Sequence, residues 1–170
     1  MSHASNKIKW CLKKAQKEIK GGKKHRGLIK KEADYDEIKK HIIKAEHNLS
    51  AVHYFSNGGF SDWAISAVFY CIYHCFLAII SKFGYESRNQ ECTISLIKYL
   101  NEKNKLNLNN KFMNALESYN EKDRHETNVI EKREFYTYGT SVSLGNKEEL
   151  LNSIDLCKEC LDKTKEIVFS

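Results

Sequence analysis

From Ala64 to Ile80 the chain is apolar almost throughout, interrupted by Ser66 and His74. The run falls short of the roughly 20 residues a helix needs to span a bilayer, and polar segments flank it. We read it as the buried core helix of a folded domain, not as a membrane span. A helix that is apolar nearly all round has to be covered by neighbouring helices or by a second subunit. The rest of the chain must therefore supply elements that pack around it. There is no proline to interrupt them, and the glycines sit at a few punctuation marks, chiefly Gly21-Gly22, Gly27, Gly58-Gly59 and Gly84.

Helical periodicity supplies the partners. Ile8, Leu12, Ala15 and Ile19 recur at spacings of four, three and four, which predicts a short amphipathic helix ending at Gly21-Gly22. Lys23 to Lys31 reads as a basic linker. Ile38, Ile42, Ala45, Leu49 and Val52 form one stripe of a helix running from about Asp36 to Phe55, closed by Asn57-Gly58-Gly59. Ser61 is placed to cap the central helix, which continues to Phe83. A shorter helix is predicted from about Cys92 to Asn101, followed by a polar loop from Lys103 to Asn110. Another begins at Lys111 with Phe112, Leu116 and Tyr119. In the last helix, Asn146 and Glu149 suggest a capping box, and Leu150, Ile154, Cys157, Leu161, Thr164 and Val168 form its stripe. No segment of strand period is long enough to predict a sheet. Long amphipathic helices, short loops and one hydrophobic centre make an all-α bundle.

At 170 residues this is one compact domain with an appendage. The net charge of +6 is uneven: Lys7 to Lys31 holds eleven Lys and Arg against the single acid Glu18, and subtracting that +10 leaves residues 32–170 near −4. We therefore divide the chain into a basic N-terminal arm, residues 1–31, and a helical bundle, residues 32–170. A local basic arm suits a phosphate-bearing partner, the alternative being a solvated lysine-rich helix. Met1 to Asn6 lacks a signal-peptide pattern. The six cysteines, Cys11, Cys71, Cys75, Cys92, Cys157 and Cys160, lie mostly within helical patterns. Reduced thiols in a cytoplasmic protein are expected. Cys71 with Cys75 lies one turn apart and Cys157-x-x-Cys160 is half of a zinc site, but no second half follows at finger spacing. Core cysteines are expected, with no metal and no cofactor. Glycine-rich phosphate loops and nucleophile elbows are absent from the sequence.

The succession Lys44-Ala45-Glu46-His47-Asn48-Leu49, then Gly58-Gly59-Phe60-Ser61-Asp62-Trp63-Ala64, then Val68-Phe69-Tyr70-Cys71-Ile72-Tyr73-His74-Cys75 resembles the opening helix pair of many prokaryotic HEPN domains. Near the other end, Arg133-Glu134-Phe135-Tyr136-Thr137-Tyr138-Gly139 resembles a signature of small stand-alone members. These segments span Lys44 to Val168 in the family's order, with the basic arm outside. The resemblance implies a four- or five-helix antiparallel bundle that forms a homodimer. Its members include metal-independent toxin-type endoribonucleases, toxins paired with nucleotidyltransferase or other antitoxin partners, and inactive binding modules.

Ribonuclease members carry Arg-x-x-x-x-His. A base with pKa near neutrality can deprotonate the RNA 2′-hydroxyl while a cation stabilises the phosphorane. This chain departs from that pattern. After Arg124, with polar His125 next to it, Val129 stands at the histidine position; five residues after Arg133 comes Tyr138. The resemblance makes Arg133 and Arg124 the candidate phosphate-handling residues and His125 or Tyr138 the candidates near the proton transfers. A tyrosine, with a reference pKa near 10, is a poor base unless that value is lowered, so either the site has been rebuilt or cleavage has been lost. For Arg133 the alternative is a structural ion pair with a glutamate such as Glu131 or Glu134. For His74 the choice lies between a satisfied core imidazole and a base. Arg88 and Asn89, opening a helix, are candidates for anion binding, the alternative being a plain cap. With Lys23, Lys24 and Arg26 of the arm they complete the expected RNA-binding set. Two function classes follow: an RNA-directed protein, catalytic in the full reading, or a non-catalytic dimeric module that binds nucleotide or a partner such as a nucleotidyltransferase.

Overall fold

In order along the chain, the computed structural model has α1 (His3–Lys20), β1 (Leu28–Lys30), α2 (Tyr35–Asn57), α3 (Ser61–Lys82), β2 (Tyr85–Ser87), α4 (Gln90–Glu102), α5 (Asn110–Ala115) and α6 (Lys147–Phe169). It describes residues 2–116, 133, 137–140 and 147–170. The architecture is a helical bundle with one small two-stranded sheet.

The α3 helix is the core. Its buried face includes Ile65, Val68, Phe69, Ile72, Phe76, Ile79 and Ile80, and α2, α6 and α4 pack around it. By length and composition α3 would pass for a membrane span, but 78% of its most apolar window is buried inside the protein's own bundle. The link from α2 to α3 is only Gly58-Gly59-Phe60, which makes the two helices antiparallel neighbours. Asp34 caps α2, accepting hydrogen bonds from the backbone N–H groups of Asp36 and Glu37. The α3 helix starts one residue earlier than its sequence suggests: Phe60 occupies the cap position and Ser61 is the first helical residue.

Three expectations are corrected here. The stretch read wholly as a linker contains β1, which pairs antiparallel with β2 in the register Leu28↔Ser87, Ile29↔Glu86 and Lys30↔Tyr85. Strands of three residues are too short to show a period. The inward stripe of α1 is Ala4, Ile8, Cys11 and Ala15, whereas Ile19 is 50% exposed. The cysteines are not all thiols, because Cys11 and Cys92 form a disulfide across a sequence separation of 81. The three corrections have one cause: α1 lies on α4, which turns Cys11 toward the first turn of α4 and brings β1 to β2. Gly27 permits the close approach. A Cβ there would sit 2.4 Å from the backbone oxygen of Cys11.

The loop between α4 and α5 is polar in composition but buries Leu106 and Leu108. The Asn101 amide holds it, donating to the Leu108 carbonyl at 2.7 Å and accepting from the Leu108 N–H at 3.1 Å. The predicted helix at Lys111 is present as α5, capped by Asn109. Tyr119 and the proposed cap at Asn146 lie outside the described residues.

Candidate functional site

One stripe of α3 stays open to the surface. Trp63, Ser66, Tyr70 and Tyr73 follow one another at helical spacings of three and four, with His74 beside Tyr73. Trp63 and Tyr70 are exposed; Ser66, Tyr73 and His74 are half-buried. Residues from the later part of the chain lie along this stripe. The guanidinium carbon of Arg133 sits 4.2 Å from the centroid of the Phe69 ring, and the Thr137 hydroxyl is 3.1 Å from the Ser66 hydroxyl. Tyr138 follows and is 83% exposed. A guanidinium over a ring gives its face to the ring and its edge to hydrogen bonds, the geometry suited to a phosphate.

The rings continue along α3. Phe69 stacks on Tyr73 at 5.8 Å, and Tyr73 meets His74 edge-on at 6.4 Å. His74 reaches across to α2, where its Nδ1 lies 3.0 Å from Nδ1 of His41. A bond between two imidazole nitrogens requires one to donate and the other to accept, so at least one ring is neutral. Burial first, and then the nearby charges of His41 and Lys44, push His74 down to about 4. Burial likewise lowers His41, outweighing the upward pull of Glu37, and Lys31 adds to the lowering. Both rings are therefore uncharged at neutral pH. His74 is half of a hydrogen-bonded pair, its imidazole satisfied by His41 as in the first of the two alternatives weighed for it.

A second region is basic. The β1–β2 register places Arg88 beside Gly27, with the Arg88 N–H donating to the Gly27 carbonyl at 3.1 Å. Candidate residues from two distant segments thus meet at one edge: Lys23, Lys24 and Arg26, all exposed, and Arg88. Glu86 offsets part of this charge, accepting from Arg88 Nε at 2.9 Å and pairing with His25 Nε2 at 3.1 Å. Burial pushes Glu86 up, but the hydrogen bonds from Arg88 and His25 outweigh it and hold the carboxyl below its usual range. The Asn89 side chain accepts from the Cys92 N–H as the cap of α4, the alternative weighed for it above. Along α1, Trp10 is 49% exposed, with Lys7 Nζ and Lys14 Nζ at 4.7 and 5.1 Å from its ring.

Arg124 and His125 lie outside the described residues, as do Glu131 and Glu134. Of the candidates for catalysis, Arg133 and Tyr138 are described: Arg133 lies over Phe69 of α3, and Tyr138 is exposed. Among the described residues no three or more His, Cys, Asp or Glu side chains gather to hold a metal ion. Reading the sequence missed three residues. Trp10 could have been found from the spacing Lys7-x-x-Trp10-x-x-x-Lys14, which puts both cations within a turn of one ring. His41 and the ring under Arg133 had no such signal, since each is defined by a contact between remote segments.

A family model described as HEPN domain matches residues 38–168. The chain belongs to the HEPN domain family. The match begins within α2 and ends in the last turn of α6, so α1 and β1 precede it. At the level of the family, HEPN membership points to an RNA-related, nuclease-like or nucleotide-binding module. A search of curated proteins finds no match.

Proposed function

We propose that this HEPN protein is RNA-directed and acts through the open stripe of α3. The observation that carries the reading is Arg133 held over Phe69, whose ring meets the exposed Tyr70 at 5.1 Å. RNA offers matching chemistry: phosphates for the guanidinium and unstacked bases for the rings. The exposed basic edge and the Lys7, Trp10 and Lys14 face of α1 add sequence-independent attraction, which weakens with salt. A second copy of the chain covers the remainder of the stripe, so that two Arg133 side chains approach one RNA.

In its full form the reading makes the protein a metal-independent, toxin-type endoribonuclease. A base takes the proton of a 2′-hydroxyl, the oxygen attacks the adjacent phosphorus, and the 5′-oxygen leaves with a proton, giving a 2′,3′-cyclic phosphate. Arg133 and Arg124 balance the phosphorane charge, with His125 or Tyr138 near the proton transfers. The second reading is a non-catalytic dimeric module that binds nucleotide or a partner protein such as a nucleotidyltransferase antitoxin. Val129 at the motif's histidine position and the exposure of Tyr138 favour it.

Incubating purified protein with labelled RNA and a chelator separates the two. Products ending in 2′,3′-cyclic phosphate, lost in Arg133→Ala, are expected of the ribonuclease. RNA that stays intact under wild-type protein supports the second reading, and cleavage unchanged in the variant overturns the role of Arg133.

A further inference from the structure

Arg88 is exposed, yet it is held at both its backbone and its side chain. Its backbone N–H donates to the Gly27 carbonyl at 3.1 Å, one step beyond the Leu28↔Ser87 pair that ends the sheet. Its Nε donates to Glu86 Oε1 at 2.9 Å. Glu86 is itself fixed. His25 Nε2 pairs with the same oxygen at 3.1 Å, and Lys31 Nζ lies 3.8 Å from the other. The His25 side chain is only 7% exposed and its Nδ1 meets no partner among the described residues, so Glu86 is the polar anchor of that imidazole. A buried histidine thus holds a carboxylate, and the carboxylate holds a surface guanidinium.

The arrangement leaves a defined remainder. The N–H donors of a guanidinium lie in one plane, and Glu86 takes the one on Nε. The terminal amino groups have no partner among the described residues, and they form a fork that matches two phosphate oxygens. Lys23, Lys24 and Arg26, all exposed, stand on the segment that the Gly27 contact brings to Arg88. These three cations come from the arm, ahead of the residues matched by the family model, and Arg88 comes from within them. They gather at the end of the sheet, a point and not a track. A terminal phosphate suits such a point, because a phosphomonoester carries about −1.5 to −2 charge at pH 7 and three acceptor oxygens, against the single charge of each backbone phosphodiester.

We infer that the end of the β1–β2 sheet is a phosphomonoester site, with Arg88 as its binding residue and Glu86 and His25 as positioning residues. The group comes from the phosphorylated end of an RNA strand or from a small free phosphomonoester. The first source rests on the RNA-directed reading above, and the second does not.

Charge and orientation make opposite predictions at Glu86. Diffuse attraction predicts that Glu86→Ala, by removing an acid, strengthens anion binding, whereas a guanidinium deprived of its support binds less well. Arg88→Lys keeps the charge and the backbone bond to Gly27 but removes the fork. Full-length protein with the Cys11–Cys92 disulfide intact is titrated with one single-stranded RNA in 5′-phosphorylated and 5′-hydroxyl forms, followed by anisotropy of a 3′ fluorophore. Adenosine monophosphate is titrated separately and followed by phosphorus NMR. Wild type is expected to prefer the phosphorylated end by about tenfold and to bind the mononucleotide, with both properties lost in Arg88→Lys and Glu86→Ala. Glu86→Gln, which keeps an acceptor for Arg88 and His25, is expected to retain them. Equal wild-type affinity for the two RNA ends together with no mononucleotide binding overturns the inference and leaves RNA binding itself standing. An unchanged preference in Arg88→Lys, or tighter binding by Glu86→Ala, overturns it as well. Mononucleotide binding that depends on Arg88, in a protein that binds no RNA, supports the site and overturns the RNA-directed reading instead.

Discussion

Acid should weaken this fold through the imidazole pair that joins α2 to α3. In the folded chain His74 titrates at about 4, against a usual value of 6.5. Its folded value is depressed, so between these limits the folded chain binds fewer protons than the unfolded chain. Stability is therefore complete above pH 6.5 and falls as pH drops toward 4. The interval of about 2.5 units corresponds to a ceiling of about 3.4 kcal/mol at 1.36 kcal/mol per unit. His74 is only half-buried, and water screens part of that, which leaves about 1.5–2 kcal/mol. His41 is shifted in the same direction and adds to the effect. Urea unfolding followed at pH 7, 6, 5 and 4.5 reads this directly, with His74→Asn as the control because its amide can still bond to His41. Wild type should lose about 1.5 kcal/mol more than the variant between pH 7 and 4.5. Parallel pH dependences of the two proteins would refute the reasoning.

Four further outcomes follow from the arm. Gly27→Ala forces a Cβ against the α1 backbone at 2.4 Å; it should cost about 1–3 kcal/mol in urea unfolding and raise hydrogen exchange in α1. Reducing the Cys11–Cys92 disulfide, or Cys11→Ser, frees a separation of 81 residues and should lower stability by about 2–4 kcal/mol, visible as a drop in melting temperature. Trp10→Ala, at an exposed ring flanked by two lysines, should weaken single-stranded RNA binding by about 1–3 kcal/mol. In the same anisotropy titration Lys7→Ala should instead flatten the salt dependence.

The stripes of α2 and α6 were legible because each buries a face of regular helical spacing; Leu150, Ile154, Cys157, Leu161, Thr164 and Val168 face inward or are packed as their spacing indicates. The arm was harder, since its partner α4 lies some eighty residues away and periodicity says nothing about a remote partner. Hence Cys11 was not recognised as an inward residue, nor Ile19 as an outward one. The strand pair gave no period, and the disulfide could not be read from cysteine spacing. At the candidate site the sequence pointed to Arg133 through family resemblance and its spacing from Ile130. Phe69 beneath it and Ser66 opposite Thr137 are properties of packing, as is the bond between His41 and His74.

The claim that Arg133 and the open stripe of α3 engage RNA is tested most directly by the affinity of wild type and Arg133→Ala for fluorescent single-stranded RNA, measured by anisotropy at fixed salt with melting temperatures recorded alongside. The account predicts binding by wild type and a loss of at least about tenfold in the variant, equivalent to about 1.4 kcal/mol, with the melting temperature retained. Equal affinities, or a wild-type protein that binds no RNA, would contradict it.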